Sequence, residues 1–264
     1  MTVSVLTIAG SDSGGGAGIQ ADLKTFAAHG VHGLSAIAAL TAQHTRGVTG
    51  VAVTDPAFIA EQIDACFDDF DIRAVKLGML ANADVIHAVS NALERHHPVP
   101  LVLDPVMIAT SGAALLDPAA VGELLDRLLP MAAVITPNVP EAEAMLARHI
   151  TDVDDALAAA RELLARGCRG VLLKGGHLPV PGAVIDTLAL PGGRVERFEH
   201  ARLDARAHGT GCTLASAIAA NLAIGHPLST ACGRATDYVH RALARGYRPG
   251  RSDVTVLDHF GAAR

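Results

Sequence analysis

The chain has no tryptophan, and its few phenylalanines and tyrosines bring aromatic content to only 3%. Half of its residues are hydrophobic, so the interior has to be built from Ala, Val, Leu and Ile. Basic residues are not in excess: 21 Lys and Arg face 27 Asp and Glu, a net charge of −6. No basic stripe runs beside interleaved aromatics, which argues against a nucleic-acid partner. No apolar run reaches the ~18 residues that cross a bilayer, which argues against a membrane partner. The opening Met1-Thr2-Val3-Ser4-Val5 lacks the basic n-region of a signal peptide, so a cytoplasmic protein is expected. Cysteine is scarce as well. Cys66, Cys168, Cys212 and Cys232 form no C-x-x-C pair, and none stands at zinc-finger spacing from a histidine. Free thiols in a reducing compartment account for them. Most of the 13 histidines stand alone, and His96-His97 before Pro98 reads as a solvated pair.

Repeats, low-complexity segments and long linkers are also missing, and 264 residues suit one large domain, 1–264. Short apolar runs alternate with helical patterns from end to end. Strands are expected at 3–9, 35–40, 74–77, 101–103, 133–135 and 170–173. Helices are expected at 17–29, 56–67, 84–95, 118–129, 152–165, 213–223 and 229–244, with Asp117 as a cap for the fourth. Residues 184–190 and 195–200 flank Pro191-Gly192-Gly193 and read as a hairpin. Residues 248–253 read as an exposed loop. This β-α alternation is that of an α/β fold, a mostly parallel sheet covered on both faces, with the hairpin adding antiparallel strands at one edge.

Ligands of such sheets bind beyond the carboxyl ends of the strands. There the sequence delivers Gly10-Ser11-Asp12-Ser13-Gly14-Gly15-Gly16-Ala17-Gly18, then Thr41-Ala42-Gln43-His44-Thr45, then Gly78-Met79. Asp104-Pro105-Val106-Met107, Thr136-Pro137-Asn138-Val139-Pro140-Glu141 and Lys174-Gly175-Gly176-His177 follow. Any one of these is explained by a turn or a helix cap; six on one edge are not. Asp104, Asn138 and Glu141 offer the oxygen ligands that hold Mg²⁺ directly or through its water. Lys174 offers a mobile charge for phosphate. Gln43 both donates and accepts, which suits a heterocycle edge. Asp22 follows closely on the glycine loop.

His208-Gly209-Thr210-Gly211-Cys212 precedes the helical run at 213–223. Two glycines let the backbone turn sharply, and the helix start aims unpaired N–H groups and a positive dipole end at one spot, an anion site. On this motif alone, a glycine turn before a buried helix with a packing cysteine explains the pattern equally well. Three other readings fail. Gly16-Ala17-Gly18-Ile19-Gln20-Ala21 fits a dinucleotide loop, but no acidic residue stands some 20 positions on. No Gly-Lys-Ser/Thr makes a Walker A loop. Asp12-Ser13-Gly14-Gly15 lacks the upstream His and Asp of a trypsin-like protease.

In chain order, Ile8 through Asp22, Thr41-Ala42-Gln43, Asp104-Pro105-Val106-Met107, Thr136-Pro137-Asn138 with Pro140-Glu141, Lys174-Gly175-Gly176-His177 and His208 through Thr213 resemble the hydroxymethylpyrimidine/phosphomethylpyrimidine kinases of thiamine biosynthesis. The resemblance runs through nearly the whole chain. It implies a ribokinase-like three-layer α/β/α sandwich, Mg²⁺ and ATP, a small-molecule acceptor and a homodimer. The implied reaction phosphorylates the CH₂OH of 4-amino-5-hydroxymethyl-2-methylpyrimidine and then its monophosphate.

By the same resemblance Gly10, Asp22, Gln43, Met79 and Val106 fall at the pyrimidine pocket. Gly209, Gly211 and Cys212 fall at the transferring phosphate, with Cys212 where related sugar kinases carry a catalytic Asp. Lys174, Asn138, Thr210 and His208 fall on the ATP side, and Glu141 and Asp104 at magnesium. A thiol at a helix N-terminus has its pKa lowered, so Cys212 is expected to serve as a helpful base for the hydroxyl.

Two departures stand out: residues 203–208 are about one residue short of the family's approach to the HGTGC motif, and His44 replaces a frequent Asn. Pyridoxal kinases share the fold and take a similar flat CH₂OH-bearing ring. A nucleotide-binding regulator without catalysis is the reading from another class. The glycine loop and residues 179–183 are the candidates for closing over the site.

Overall fold

The computed structural model describes residues 2–109 and 112–263. β1 (Ser4–Gly10) is buried along its whole length, the mark of a strand covered on both faces. It is followed by α1 (Gly18–Ala28), β2 (His32–His44), β3 (Gly47–Val53), α2 (Pro56–Asp69), β4 (Ile72–Leu77), α3 (Ala83–Glu94) and β5 (Leu101–Leu103). An irregular helical stretch at 118–131 contains one α turn, α4 (Val121–Glu123). Then come β6 (Val134–Ile135), α5 (Val139–Leu146), α6 (Val153–Leu164), β7 (Val171–Leu173), β8 (Ala183–Ala189) and β9 (Val195–Ala201). β10 (Ala207–His208), α7 (Thr210–Ala223), α8 (Leu228–Ala244) and β11 (Thr255–Val256) complete the order.

The main sheet runs β3-β2-β1-β4-β5-β6-β7-β8-β9. The pairs from β2 to β7 are parallel, and β8 and β9 add the expected antiparallel hairpin. Alternation along the strands splits the core into two layers. Leu6, Ile8, Val75, Leu77, Leu101 and Leu103 face the layer that includes α2, α3, α5 and α6. Val5, Ala74, Val102 and Val134 face the layer of α7 and α8. The result is the three-layer sandwich expected. The strand order reverses between β1 and β4, and a crevice at their carboxyl ends is the usual consequence.

Three elements differ from expectation. Residues 41–45 are not a loop: β2 continues to His44 and turns back as the antiparallel β3, from Ala39 opposite Val53 to His44 opposite Gly47. β3 has no buried residue and two glycines, so it carries none of the alternation that marks a half-buried strand. The helix at 118–129 is broken into 3₁₀, α and π turns, and Pro130 near its end has no N–H to continue an α ladder. A small parallel sheet pairs Ala207 with Thr255 and His208 with Val256, so the C-terminal tail reaches the approach to α7.

Candidate active site

A cavity of about 540 Å³ opens at the carboxyl ends of β1, β4, β5, β6 and β7, within the size range of small-molecule sites. It brings together Gly10, Gln43, Met79 and Val106 with Asp104, Asn138, Glu141 and Lys174, and with His208 through Cys212. Asp22 does not reach it. That carboxylate is fully buried, with Oδ1 accepting from Ser216 Oγ and Oδ2 from Thr7 Oγ1 and Lys76 Nζ, each at 2.7 Å. Asp22, expected on the pyrimidine side, therefore stands behind the wall, and its partner Lys76, also fully buried, is the one that lies against the cavity floor.

α7 begins at Thr210, three residues earlier than the apolar pattern indicated. Its cap is Gly209 at φ 83°, where a Cβ would collide with the carbonyl oxygen of Gly16. Only glycine fits on both counts. The first helical bond at this end runs from the Thr213 N–H to the Gly209 carbonyl at 3.0 Å. The N–H groups of Thr210, Gly211 and Cys212 are therefore free of the helical ladder, a cradle for an anion. Gly211 is needed for approach: a Cβ there would lie 3.2 Å from Lys174 Nζ and 3.5 Å from Asp104 Oδ2.

Cys212 keeps some surface on this cradle. The expected low thiol pKa is not found. Burial pushes it up to about 11, with Asp22 and Asp104 adding to the rise and Lys76 opposing it. A helix terminus and one lysine do not offset the loss of water around a thiolate.

Lys174 anchors the other side. Its Nζ lies 3.1 Å from Asp104 Oδ1 and 3.7 Å from Glu141 Oε2. Burial favours the neutral amine, but the two carboxylates hold its pKa above the ordinary lysine value. Asn138 and Glu141 form a capping box for α5: the Glu141 N–H donates to Asn138 Oδ1 at 2.8 Å and the Asn138 N–H to Glu141 Oε2 at 2.7 Å. The N-x-x-E element is thus a helix start as well as a cavity wall. Burial raises the Glu141 pKa, Lys174 opposes it and Asp104 adds to it.

Asp104 Oδ1 also accepts from Thr136 Oγ1 at 3.2 Å, whereas Oδ2 is buried and without a hydrogen-bond partner among the described residues. An orphaned carboxylate oxygen beside a second carboxylate suits a hard cation. Among the described residues no three His, Cys, Asp or Glu gather into a metal cage. The pair Asp104 and Glu141 suits Mg²⁺, which binds through one or two carboxylates and completes its shell with water and phosphate oxygens.

Asp12, read in the sequence only as part of the glycine loop, organises it. Its carboxylate accepts the N–H groups of Gly14, Gly16 and Ala17 at 2.8–2.9 Å. His208 Nε2 lies 3.1 Å away. Burial pushes Asp12 up, but the bonds from His208, Ala17 and Gly14 hold its carboxyl below the ordinary value. His208, expected on the ATP side, is thus engaged by Asp12 and by Gln43, whose Nε2 is 3.0 Å from the same ring nitrogen. One nitrogen does not both donate to Asp12 and accept from an NH₂. With Asp12 charged, the Gln43 amide places its oxygen toward His208 and its NH₂ toward Thr41 Oγ1, 3.1 Å from the amide.

Lys76 and Asp12 were the site residues that sequence reasoning passed over. The signal for Lys76 was a lone lysine inside the apolar run Ala74-Val75-Lys76-Leu77.

The phosphomethylpyrimidine kinase family model matches residues 12–257. A bifunctional thiamine biosynthesis protein of Geobacter sulfurreducens is 49% identical over 98% of this chain, which spans only 53% of that longer protein. A hydroxymethylpyrimidine/phosphomethylpyrimidine kinase of Rhizobium meliloti is 48% identical over 94% of this chain and 93% of its own. The crystal structure of a phosphomethylpyrimidine kinase from Clostridium difficile superposes with a TM-score of 0.80 at 43% identity, covering 90% of this chain and 97% of that one. A pyridoxal kinase from Staphylococcus aureus in complex with AMP-PCP and pyridoxal superposes with a TM-score of 0.91 at 29% identity, covering 100% and 96%.

Proposed function

The chain belongs to the phosphomethylpyrimidine kinase family, and from that premise we propose that it moves the γ-phosphoryl group of Mg-ATP onto 4-amino-5-hydroxymethyl-2-methylpyrimidine and then onto the resulting monophosphate. One observation carries the reading. The free N–H cradle of Thr210 to Cys212 shares a single cavity with Lys174 and its two carboxylates and with the Gln43, Met79 and Val106 wall. Phosphoryl transfer passes through a loose transition state, so catalysis is mostly positioning and charge stabilisation.

Each part has a task in that reading. Gln43 reads the amino-pyrimidine edge, while Met79 and Val106 pack against the flat ring and Gly10 leaves it room. The cradle at Gly209 and Gly211 receives the charge that spreads over the transferring oxygens. Lys174 holds the donor's phosphates, with Asn138 and Thr210 beside it. Asp104 and Glu141 would hold Mg²⁺, which neutralises phosphate charge when bound. Cys212 is a thiol at neutral pH, so it guides the acceptor hydroxyl by hydrogen bonding and is not a ready base. The hydroxyl proton leaves once the new O–P bond has made it acidic.

The test offers hydroxymethylpyrimidine, its monophosphate, pyridoxal and ribose in parallel, with ADP release from Mg-ATP as the readout. Turnover with the first two is expected. Turnover with pyridoxal alone would keep the site and replace the acceptor, a second reading favoured by the close superposition on a pyridoxal kinase. Relatives at 48–49% identity weigh toward the pyrimidine. ATP binding without transfer to any acceptor would favour a regulator.

A homodimer and a cytoplasmic setting belong to the same proposal. The β2–β3 ribbon leaves Leu40, Val51 and Val53 exposed, an apolar edge that a second copy would cover. No helix among the described residues is long and apolar enough to cross a membrane.

A further inference from the structure

Lys76 is out of keeping with its strand. It has no surface open to water and lies in β4, whose neighbouring residues Ala74, Val75 and Leu77 are buried and apolar. A buried ammonium is costly unless paired, and the pair here is Asp22 Oδ2 at 2.7 Å. Thr7 and Ser216 hydroxyls fill the rest of that carboxylate, so the aspartate is fixed from β1, β4 and α7 at once. An ammonium carries three N–H donors, and Asp22 is its single hydrogen-bond acceptor among the described residues.

The network leads to the cradle. Ser216 lies one helical turn beyond Cys212 on α7, so the two side chains share a face. Cys212 belongs to the cavity floor and the fully buried Lys76 lies directly beneath it. Gly78 leaves room for the ammonium, since a Cβ there would lie 2.8 Å from Lys76 Nζ. Lys174 lies beside Gly211, its Nζ 3.2 Å from where a Cβ would stand. Two lysines, each tied to a buried aspartate, thus stand at the start of α7. One of them, Lys76, is shut off from water and hence from screening.

We propose that Lys76, anchored by Asp22, is a positioning residue for the acceptor: a fixed positive charge beneath the floor at Cys212 that favours an anionic reacting end and stabilises charge developing on a neutral one. The inference rests on the phosphotransfer reading above. Burial favours the neutral amine, but the carboxylates of Asp22 and Asp104 raise the Lys76 pKa, so the charge persists.

The two acceptors of that reading feel this charge differently. With the alcohol, the hydroxyl oxygen forms the new O–P bond as the bond from the γ-phosphorus to its bridging oxygen breaks. ADP keeps that electron pair and the hydroxyl proton is released. Negative charge reaches the acceptor side only on the way, so Lys76 acts on kcat. The monophosphate is anionic from the start, so Lys76 acts on its binding.

The experiment measures steady-state kinetics of Lys76→Met combined with Asp22→Asn, which removes both charges together, and of Lys76→Gln, so that one folding failure does not decide the matter. For the alcohol, kcat is expected to fall about thirtyfold with KM within about twofold; for the monophosphate, KM is expected to rise about tenfold. Lys76→Arg should keep the preference between acceptors within about threefold of the unaltered enzyme. An equal proportional loss with both acceptors, or no change with either, overturns the proposal. No transfer by the unaltered enzyme to either acceptor overturns the phosphotransfer reading instead, and the proposal with it.

Discussion

His208 Nε2 lies 3.1 Å from Asp12 Oδ2, joining the glycine loop after β1 to the last residue before the cap of α7. Asp12 thereby fixes two stretches at once, the three loop amides it accepts and the approach to the cradle. Replacing it by alanine strands the buried Gly16 and Ala17 amides, at about 1–3 kcal/mol for each donor left unsatisfied, while the exposed Gly14 amide turns to water. Asp12→Ala is expected to lower the melting temperature and raise the acceptor KM more than the ATP KM. A variant with unchanged acceptor KM would separate the loop from acceptor binding.

Gly209→Ala tests the cradle itself. The backbone there is left-handed and the added Cβ would strike the Gly16 carbonyl, so the helix start has to shift or the loop has to move. Strain of this kind costs about 1–3 kcal/mol. Displacing the N–H donors is expected to lower kcat by about 10²–10³, the range for losing one oxyanion donor. A rate within a few-fold of the unaltered enzyme would remove the cradle from the transfer step.

Lys174 and Gln43 stand on opposite walls, and their variants should split the kinetics. Lys174→Ala leaves Asp104 and Glu141 facing one another without a counter-charge, so kcat and ATP use are expected to suffer while acceptor KM stays within about twofold. Gln43→Ala removes ring-edge hydrogen bonds and is expected to raise acceptor KM about tenfold, the worth of roughly one such bond. Varying each substrate separately checks both, and the reverse pattern would exchange the two walls.

The parallel strands were legible because a strand buried on both faces reads as a continuous apolar run, as in Leu101 through Leu103 or Val171 through Leu173. Residues beyond those strands converge because the topology gathers carboxyl ends, so Gln43, Asp104, Asn138, Lys174 and Cys212 were also legible. What periodicity does not carry is side-chain direction. Asp22 lies close in sequence to the glycine loop yet turns inward to Lys76. Lys76 hides in a strand where only its charge was out of pattern. β3 has no buried face, so no alternation announced it. Cys212 shows the same limit in energy: its place at a helix start was readable, but the desolvation that outweighs the dipole depends on what packs around it.

That desolvation is measurable in the free protein. With the Cys212 thiol pushed up to about 11, only a small fraction is thiolate at neutral pH. Alkylation of Cys212 by iodoacetamide is therefore expected to be slow at pH 7 to 8 and to rise about tenfold per pH unit toward the pKa. Cys212→Ser is expected to lower kcat modestly, because positioning survives in the hydroxyl. Fast alkylation at pH 7 would restore Cys212 as a base.

His259 gives the fold an acid limit. The ring is buried in the C-terminal tail, and its Nε2 lies 3.1 Å from the Thr213 hydroxyl in the first turns of α7. Burial lowers its pKa from 6.5 to about 4, Lys24 adds to the drop, and the Leu257 backbone and Asp258 oppose it. A base with a depressed pKa binds fewer protons folded than unfolded, so stability is complete above pH 6.5 and falls as pH drops from there toward 4. Across that window the loss attributable to His259 is about 3 kcal/mol, from roughly two to three pKa units at 1.36 kcal/mol each. His259→Gln keeps a partner for Thr213 and removes the titration. Urea unfolding from pH 7 to pH 4 is expected to show a flatter decline in the variant than in the unaltered protein. Parallel declines would mean that other groups, the half-buried His29 with its lowered pKa among them, carry the acid sensitivity; Asp12 and Asp64, held below the ordinary carboxylate value, lose their contribution only at lower pH.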